Sequence, residues 1–308
     1  MKWPLQHGRV QQISETLAKH SEDIRVMTGI ADPRAREALA MQIMASLRRD
    51  QYFQIIQHRG DIAAARADPN SPRFEAELGV VHFLQNGMHD EAAWLIFLMV
   101  AVAKPGNSGW ARLRDVYGKL GQGRWSWQEV AAAPRAFEDW LAQCWNAIGG
   151  KFGNHRKYVS LRPDSPLPFG RQVTEYVTWV NAGGGHQALF SRLVLEGGND
   201  PHSIFDSFYN AVPIKGFGRL GNFDWVAMLA RYHFMPAEAG SAYLKDATGP
   251  KAGIKLLFEN DSKSKTSYAV LQAWLDDLDA DLGVGMEVLE DSICNWQKTP
   301  LTFTHFKG

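Results

Sequence analysis

Apolar residues recur at three- and four-residue intervals along most of this chain, a spacing typical of helices with one buried face. We find no set of segments in which apolar and polar residues alternate, as they would in half-buried strands. The sequence therefore predicts an all-α fold. The segments with the clearest helical spacing are residues 8–30, 33–57, 73–86 and 89–103.

One long irregular stretch, residues 149–170, interrupts this pattern. It contains the run His155-Arg156-Lys157 and, further on, three prolines. Long loops in compact domains are often functional, so this loop is either a solvated connection between domains or a binding segment. We expect a helical N-terminal part at residues 1–150 and a second part at residues 151–308, packed together as one body.

Charge and composition exclude several classes of protein. Hydrophobic residues make up 45% of the 308 residues, enough for a proper core and too many for a disordered chain. The 33 basic and 33 acidic side chains cancel, which argues against a protein that coats nucleic acid indiscriminately. A local basic surface on a neutral body remains compatible with this balance.

The two cysteines, Cys144 and Cys294, cannot form a disulfide framework and do not have the spacing of a metal site. His82 and His89 have no third ligand at a suitable distance in sequence, so we expect no metal. Dinucleotide, Walker A and Ser-His-Asp motifs are missing, and we expect no cofactor.

The ends and the apolar runs of the chain predict its compartment. The first seven residues lack the apolar core of a signal peptide. The longest apolar run, residues 92–103, is too short to span a bilayer. We expect a cytoplasmic protein that does not enter a membrane.

A turn at Thr248-Gly249-Pro250-Lys251 carries the first candidate site. We expect one helix to end before it and a second to start at once, because proline fits the first turn of a helix. Glycine lets the backbone approach another molecule, and Lys251 and Lys255 lie one turn apart. Free amides, a positive helix end and two lysines predict that Thr248, Gly249, Lys251 and Lys255 bind phosphate.

A second basic turn, Lys215-Gly216-Phe217-Gly218-Arg219, precedes another predicted helix. Lys215 and Arg219 would neutralise a phosphate that the glycines allow to come close, or they would be exposed groups at an ordinary helix end. Phe217, Asp224 and Trp225 are candidates for a pocket that holds a base, although aromatic residues at helical spacing are more often core.

Residues 205–225, residues 282–296 and the Gly249-Pro250-Lys251 turn together resemble the alpha-glutamyl/putrescinyl thymine pyrophosphorylase family. That family belongs to the helix-hairpin-helix DNA glycosylase superfamily. The resemblance implies a helix-hairpin-helix glycosylase-like fold with a helical N-terminal extension, and it makes Gly249-Pro250-Lys251 part of the hairpin. The chain departs from the usual hairpin pattern at Ala247, Thr248 and Gly253.

The resemblance also implies a function. Some family members excise glucosylated hydroxymethylcytosine from phage DNA, so we expect a monomeric glycosylase that flips a bulky modified base out of double-stranded phage DNA as anti-phage defence. The first alternative is a transferase that displaces pyrophosphate from a modified thymine and installs an amine. The second alternative is a DNA-binding module without catalysis.

Glycosylases of the superfamily use an aspartate that follows the hairpin, and here the usual distance leads to residues 269–271, where there is no acid. We therefore expect the catalytic group to be Asp277, at the flank of an apolar stripe, or else Asp276. Asp279 and Asp281 are assigned to a solvated helix face. Asp261 and Asp224 are the remaining alternatives.

Overall fold

The computed structural model describes residues 6–156 and 158–306. Within these residues it contains fourteen α-helices and no β-strand, apart from one isolated bridge between Ser160 and Pro168. The all-α fold expected from the apolar spacing is confirmed. None of the helices described is both long and apolar enough to cross a membrane.

Three connections between consecutive helices are long, namely those between α2 and α3, between α7 and α8, where the irregular loop lies, and between α11 and α12. In chain order they are α1 (His7–Asp23), α2 (Pro33–Gln57), α3 (Ala76–Gln85), α4 (His89–Val102), α5 (Ala111–Tyr117), α6 (Trp127–Ala132), α7 (Ala136–Cys144), α8 (Phe169–Ala182), α9 (His186–Gly197), α10 (Pro201–Ala211), α11 (Gly218–Arg231), α12 (Gly249–Glu259), α13 (Tyr268–Leu282) and α14 (Met286–Trp296).

The chain divides into two compact units. One, the discontinuous unit, comprises the described residues up to Tyr52 together with Ala239–Phe306. The other, the continuous unit, comprises the described residues of Phe53–Glu238. The division near residue 150 that the sequence suggested falls inside the continuous unit, and it stays a prediction.

Hydrogen bonds join the two sequence segments of the discontinuous unit. The indole N–H of Trp296 donates to the carbonyl of Ala35 at 3.1 Å. The hydroxyl of Thr28 donates to the carbonyl of Phe258 at 3.0 Å. The first segment therefore completes the core that α12, α13 and α14 begin.

Two aspartates of α13 hold this unit together. Asp279 Oδ1 accepts the backbone N–H groups of Val284 at 3.0 Å and of Gly285 at 2.8 Å, at the point where α14 begins. Asp281 Oδ2 lies 2.6 Å from Nδ1 of His20, a fully buried ring. Asp279 is half-buried and Asp281 is exposed, as expected of a solvated helix face, and each also satisfies polar groups of a neighbouring element.

We predict that Asp279→Ala lowers the free energy of unfolding by about 1–2 kcal/mol, because it leaves two backbone donors without their acceptor. The matched control is Asp276→Ala, an exposed aspartate one turn earlier on the same helix, which should change stability by less than about 0.5 kcal/mol. Urea denaturation measures both, and equal midpoints for the two variants would contradict the capping role of Asp279.

The core of the continuous unit is built around α4, whose residues 92–102 are all buried. The first turn of this helix carries a buried carboxylate, Glu91. It accepts the hydroxyl of Tyr117 and, at 2.7 Å, the backbone N–H of Trp127. Burial raises the pKa of Tyr117 well above its ordinary value, so the phenol stays a donor. Glu91 thereby fixes α5 and α6 against α4.

A second series of hydrogen-bonded side chains begins at Asp90. His186 Nδ1 donates to Asp90 Oδ1 at 2.8 Å, and its Nε2 accepts the hydroxyl of Tyr176 at 2.8 Å. Burial lowers the pKa of His186, and the hydrogen bond from His186 lowers the pKa of Asp90. A neutral imidazole between a carboxylate and a phenol satisfies this arrangement.

These shifts predict that stability falls in acid. The unfolded chain takes up a proton at His186 below its ordinary pKa of 6.5, whereas the folded chain resists it until a lower pH. Asp90 adds stability above its ordinary pKa of 3.8, and this contribution is lost as the pH falls through its lower folded-state value. The free energy of unfolding should therefore decrease from pH 7 to pH 5, and His186→Gln should flatten that slope.

The matched control is Gln187→Ala, which removes an exposed side chain next to His186 on α9, leaves the imidazole in place and should keep the wild-type slope. Denaturant melts at half-unit pH steps measure it. If His186→Gln kept the wild-type slope, the buried neutral imidazole would not be its source.

Candidate nucleic-acid interface

The two helices α10 and α11 form a helical pair joined by a short turn. Asp200 caps the first helix, since its carboxylate accepts the N–H of Ser203 at 2.9 Å, and Pro201 occupies the first helical position. Residues 212–218, referred to as the 212–218 turn, connect this helix to the next. The pair packs together through the rings of Phe205 and Phe223, whose centres lie 5.5 Å apart.

The turn directs its apolar residues inward and its basic residue outward. Ile214 and Phe217 are buried, whereas Lys215 is exposed. Gly216 and Gly218 have φ angles of +77° and +67°, a left-handed conformation that glycine adopts without strain. Phe217, the residue that precedes α11, makes no side-chain hydrogen bond to the first turn of this helix. Lys215 and the amides that begin α11 therefore form a surface suited to an anion.

A buried arginine lies beneath this turn. The Nε of Arg156 donates to the carbonyl of Val100 at 3.0 Å, and one terminal nitrogen donates to Asp224 at 3.2 Å. Its guanidinium carbon lies 5.4 Å from the ring centre of Phe217. Burial lowers the pKa of Arg156, and the charge of Asp224 opposes that shift. The irregular loop is thus fixed to α4, to α11 and to the 212–218 turn.

A groove of about 630 Å³ lies between α7 and α8, and Pro213 of the turn forms part of its wall. A second cavity of about 140 Å³ adjoins it and reaches Lys215. Glu175 connects the two to the turn, because one of its oxygens accepts Arg171 at 3.2 Å and the other accepts the N–H of Lys215 at 2.8 Å. The charged residues that line the larger groove are Arg135, Glu138, Asp139, Arg171 and Glu175.

The other basic turn has a different local structure. In the described residues between α11 and α12, only one 3₁₀ turn, Leu244–Asp246, precedes Thr248, so the expectation that a helix leads into this turn is wrong. A Cβ on Gly249 would lie 2.7 Å from Cys294 Sγ. The glycine therefore serves the close packing of α12 on α14, a role that the sequence did not suggest.

The residues of this second turn occupy mixed positions. Thr248 is exposed and Lys251 is half-buried. The Lys251 ammonium donates to the carbonyl of Lys245 at 3.4 Å, and the Lys255 ammonium donates to the carbonyl of Ser264. Lys255 thus holds the loop that follows α12. Phosphate binding by these residues stays a prediction.

The candidate catalytic acids lie on the exposed side of α13. Asp277 pairs with Arg25 at 3.7 Å, and both side chains are partly exposed. Asp276 accepts the side-chain amide of Gln272 at 2.8 Å. Both acids belong to the discontinuous unit, whereas Lys215 and Arg219 belong to the continuous unit. A catalytic role for either aspartate stays a prediction.

The three residues proposed for a base pocket differ in their exposure. Phe217 is 4% exposed and Trp225 is 0% exposed, so both rings are packed in the core of the continuous unit. Asp224 is half-exposed and is held by Arg156. Of the three, Asp224 alone presents a polar group at the surface of α11. Lys157, in the basic run of the irregular loop, lies outside the described residues.

Several residues of this site were not singled out from the sequence. The sequence shows Arg156 only as part of a basic run, and it shows no motif at Arg171, Gln172 or Glu175. The i, i+4 spacing of Arg171 and Glu175 after a proline-rich segment was the one available signal. Among the described residues, no group of three His, Cys, Asp or Glu side chains is placed to hold a metal ion.

The described chain is all-helical and carries an exposed lysine on a glycine-containing turn beside a groove of mixed charge. Residues 34–308 match the family described as alpha-glutamyl/putrescinyl thymine pyrophosphorylase clade 3. The protein belongs to this family. No curated protein and no solved structure matches the chain.

Each of the two basic turns predicts a phosphate contact that can be measured. Lys215→Ala should weaken DNA binding about equally for all sequences and lower the slope of log K against log salt by about one unit, and Lys251→Ala should do the same if the other turn makes the contact. Lys19→Ala is the matched control, because Lys19 is an exposed lysine of α1 that belongs to neither turn, and it should leave the slope nearly unchanged. Fluorescence anisotropy at several salt concentrations measures all three variants, and a wild-type slope in both turn variants would contradict both contacts.

Proposed function

We propose that this protein acts on a modified thymine in DNA and replaces a pyrophosphate group on the base by an amine, a reaction that agrees with the family's description as thymine pyrophosphorylases. The observation that carries the proposal is the 212–218 turn. It places exposed Lys215 and the start of α11 beside a groove whose charged residues are Arg135 and Arg171 together with Glu138, Asp139 and Glu175.

In this proposal the turn binds the DNA backbone without reading sequence, since phosphate contacts position a protein and carry no base information. The bound backbone fixes where an extruded nucleotide enters the neighbouring groove. The substituent on C5 of a stacked thymine lies in the major groove, and extrusion would bring it into the groove between α7 and α8, where side chains surround it. Arg156 keeps the turn at a constant position relative to α4 during this step.

The chemistry transfers one group. The amine nitrogen attacks the methylene carbon attached to the thymine ring, the carbon–oxygen bond breaks, and pyrophosphate leaves with the bonding electrons. Arg135, Arg171 and Lys215 would stabilise the charge of the leaving group. Glu138, whose Oε2 accepts the hydroxyl of Thr174 at 2.8 Å, would take the proton that the amine loses.

The second candidate function is the excision of a modified base, as in the glycosylases of the superfamily to which the resemblance points. Asp224 favours it, because this carboxylate lies on the helix that follows the 212–218 turn and is oriented by the buried Arg156. A fixed carboxylate could stabilise the positive charge that develops on the sugar. Asp277 and Asp276 remain the alternatives, and in this reading the substrate is modified phage DNA.

One assay tests the proposal. Phage DNA that carries pyrophosphorylated hydroxymethyl groups on thymine is incubated with the protein and with glutamate or putrescine. We expect release of pyrophosphate and no alkali-labile breaks. Arg171→Ala should lower the rate by about 100-fold, because a preorganised charge is lost. Arg192→Ala, which removes a comparable arginine–glutamate pair on α9, should leave the rate unchanged.

The other outcomes decide between the alternatives. Alkali-labile breaks without pyrophosphate release would support base excision, and Asp224→Asn and Asp277→Asn would then identify the acid. DNA binding with neither product, on modified and unmodified DNA alike, would leave a binding module without catalysis.

A further inference from the structure

A buried side-chain amide whose oxygen has no hydrogen-bond partner belongs to the lining of the smaller cavity beside the 212–218 turn. Gln172 lines this cavity and is 2% exposed. Its Nε2 donates to the carbonyl of Lys215 at 3.3 Å. Its Oε1 is buried and accepts no hydrogen bond within the described part of the chain. A buried acceptor without a partner is costly, so such a group is usually satisfied by a ligand or by water.

A second residue that lines the cavity carries a polar atom with the same property. The hydroxyl oxygen of Ser165 is buried and has no partner among the described residues. The remaining lining residues are the apolar Pro163, Pro166, Leu167 and Pro168 and the charged Arg171, Glu175 and Lys215. Apolar surface beside a few polar groups is the usual form of a site for a small ligand.

The orientation of the Gln172 amide indicates which ligand edge fits. Because Nε2 donates to a carbonyl, the opposite orientation would bring two oxygens together. The free Oε1 requires a donor, and the second hydrogen of Nε2 can reach an adjacent acceptor. The thymine ring presents this combination, an N3–H donor beside a carbonyl oxygen. Cytosine has no hydrogen at N3 and presents an acceptor there.

The cavity is also joined to the turn that would hold the DNA backbone. A Cβ on Gly216 would lie 2.5 Å from Leu167 Cδ2 and 3.2 Å from Gln172 Nε2, so the turn forms one side of the cavity. Arg171 and Glu175 line both this cavity and the larger groove. A ring in the cavity would therefore have room for a bulky substituent in the groove, close to Arg171.

We infer that this cavity binds the extruded thymine ring and that Gln172 selects it through the N3–H group. The inference rests on the proposed function and extends it, because it names the pocket and the residue that distinguishes thymine from cytosine. Ser165 supplies the second polar contact to the ring.

The test uses single-stranded oligonucleotides with one thymine, one N3-methylthymine or one cytosine among abasic positions, so that base pairing plays no part. The folded wild-type protein should bind the thymine strand at least about tenfold more tightly than either of the others, because a site built for a donor rejects a ring that lacks it. In Gln172→Leu, which is similar in size, the three affinities should agree within about twofold.

Two further variants keep the test decisive. Gln122→Leu removes an exposed glutamine of the same unit and should retain the wild-type preference. Ser165→Ala leaves the core intact, so it serves if Gln172→Leu fails to fold, as judged by circular dichroism. It should reduce the preference by about two- to fivefold, as expected for the loss of one hydrogen bond.

The outcomes separate the pocket from the function. If the wild-type protein bound thymine and N3-methylthymine strands equally while Lys215→Ala still changed the salt slope, the pocket assignment would be overturned and the cavity would be a solvated structural one. The proposed function would stand in that case. If the protein bound no DNA at all, modified thymine strands included, the pocket assignment and the proposed function would both be overturned.

Discussion

The arrangement of the candidate site depends on one buried cation. Arg156 belongs to the irregular loop and donates hydrogen bonds to Val100, near the end of α4, and to Asp224 on α11. A buried guanidinium is tolerated only when its donors are paired, so the three elements cannot separate without exposing a charge to an apolar interior. Phe217 lies against the same group. These contacts hold the 212–218 turn against the core of the continuous unit. A turn that positions a bound molecule needs such support.

Much of the fold could be predicted from the spacing of apolar residues. The segment at 33–57 coincides with α2, and the one at 89–103 exceeds α4 by a single residue. Such predictions succeed because each depends on residues within the same helix. The division into units could not be found this way, since it depends on the N-terminal helices packing with residues beyond Ala239.

The site was harder to predict because its residues are defined by partners distant in sequence. Gly249 has the same lack of a side chain whether a phosphate or Cys294 approaches it, and the sequence does not say which. In the sequence Asp281 is one member of an acidic run, and only the structure shows that it pairs with His20. Gln172 carries no motif at all. Its significance comes from Lys215, which the chain brings to it by way of two intervening helices.

The discontinuous unit has a consequence for how the chain is made. Synthesis runs from the N-terminus, so α1 and the start of α2 leave the ribosome long before Ala239–Phe306 exists. All residues of the continuous unit are available once Glu238 has been translated. Until these later residues are made, α1 and the start of α2 lack native partners, since His20 pairs with Asp281 and the carbonyl of Ala35 with Trp296. Joining the two segments of the discontinuous unit across the inserted continuous unit costs little additional chain entropy, because this cost grows slowly with loop length. A ribosome that stops early, however, releases a protein in which the continuous unit is complete and the discontinuous unit lacks its second segment.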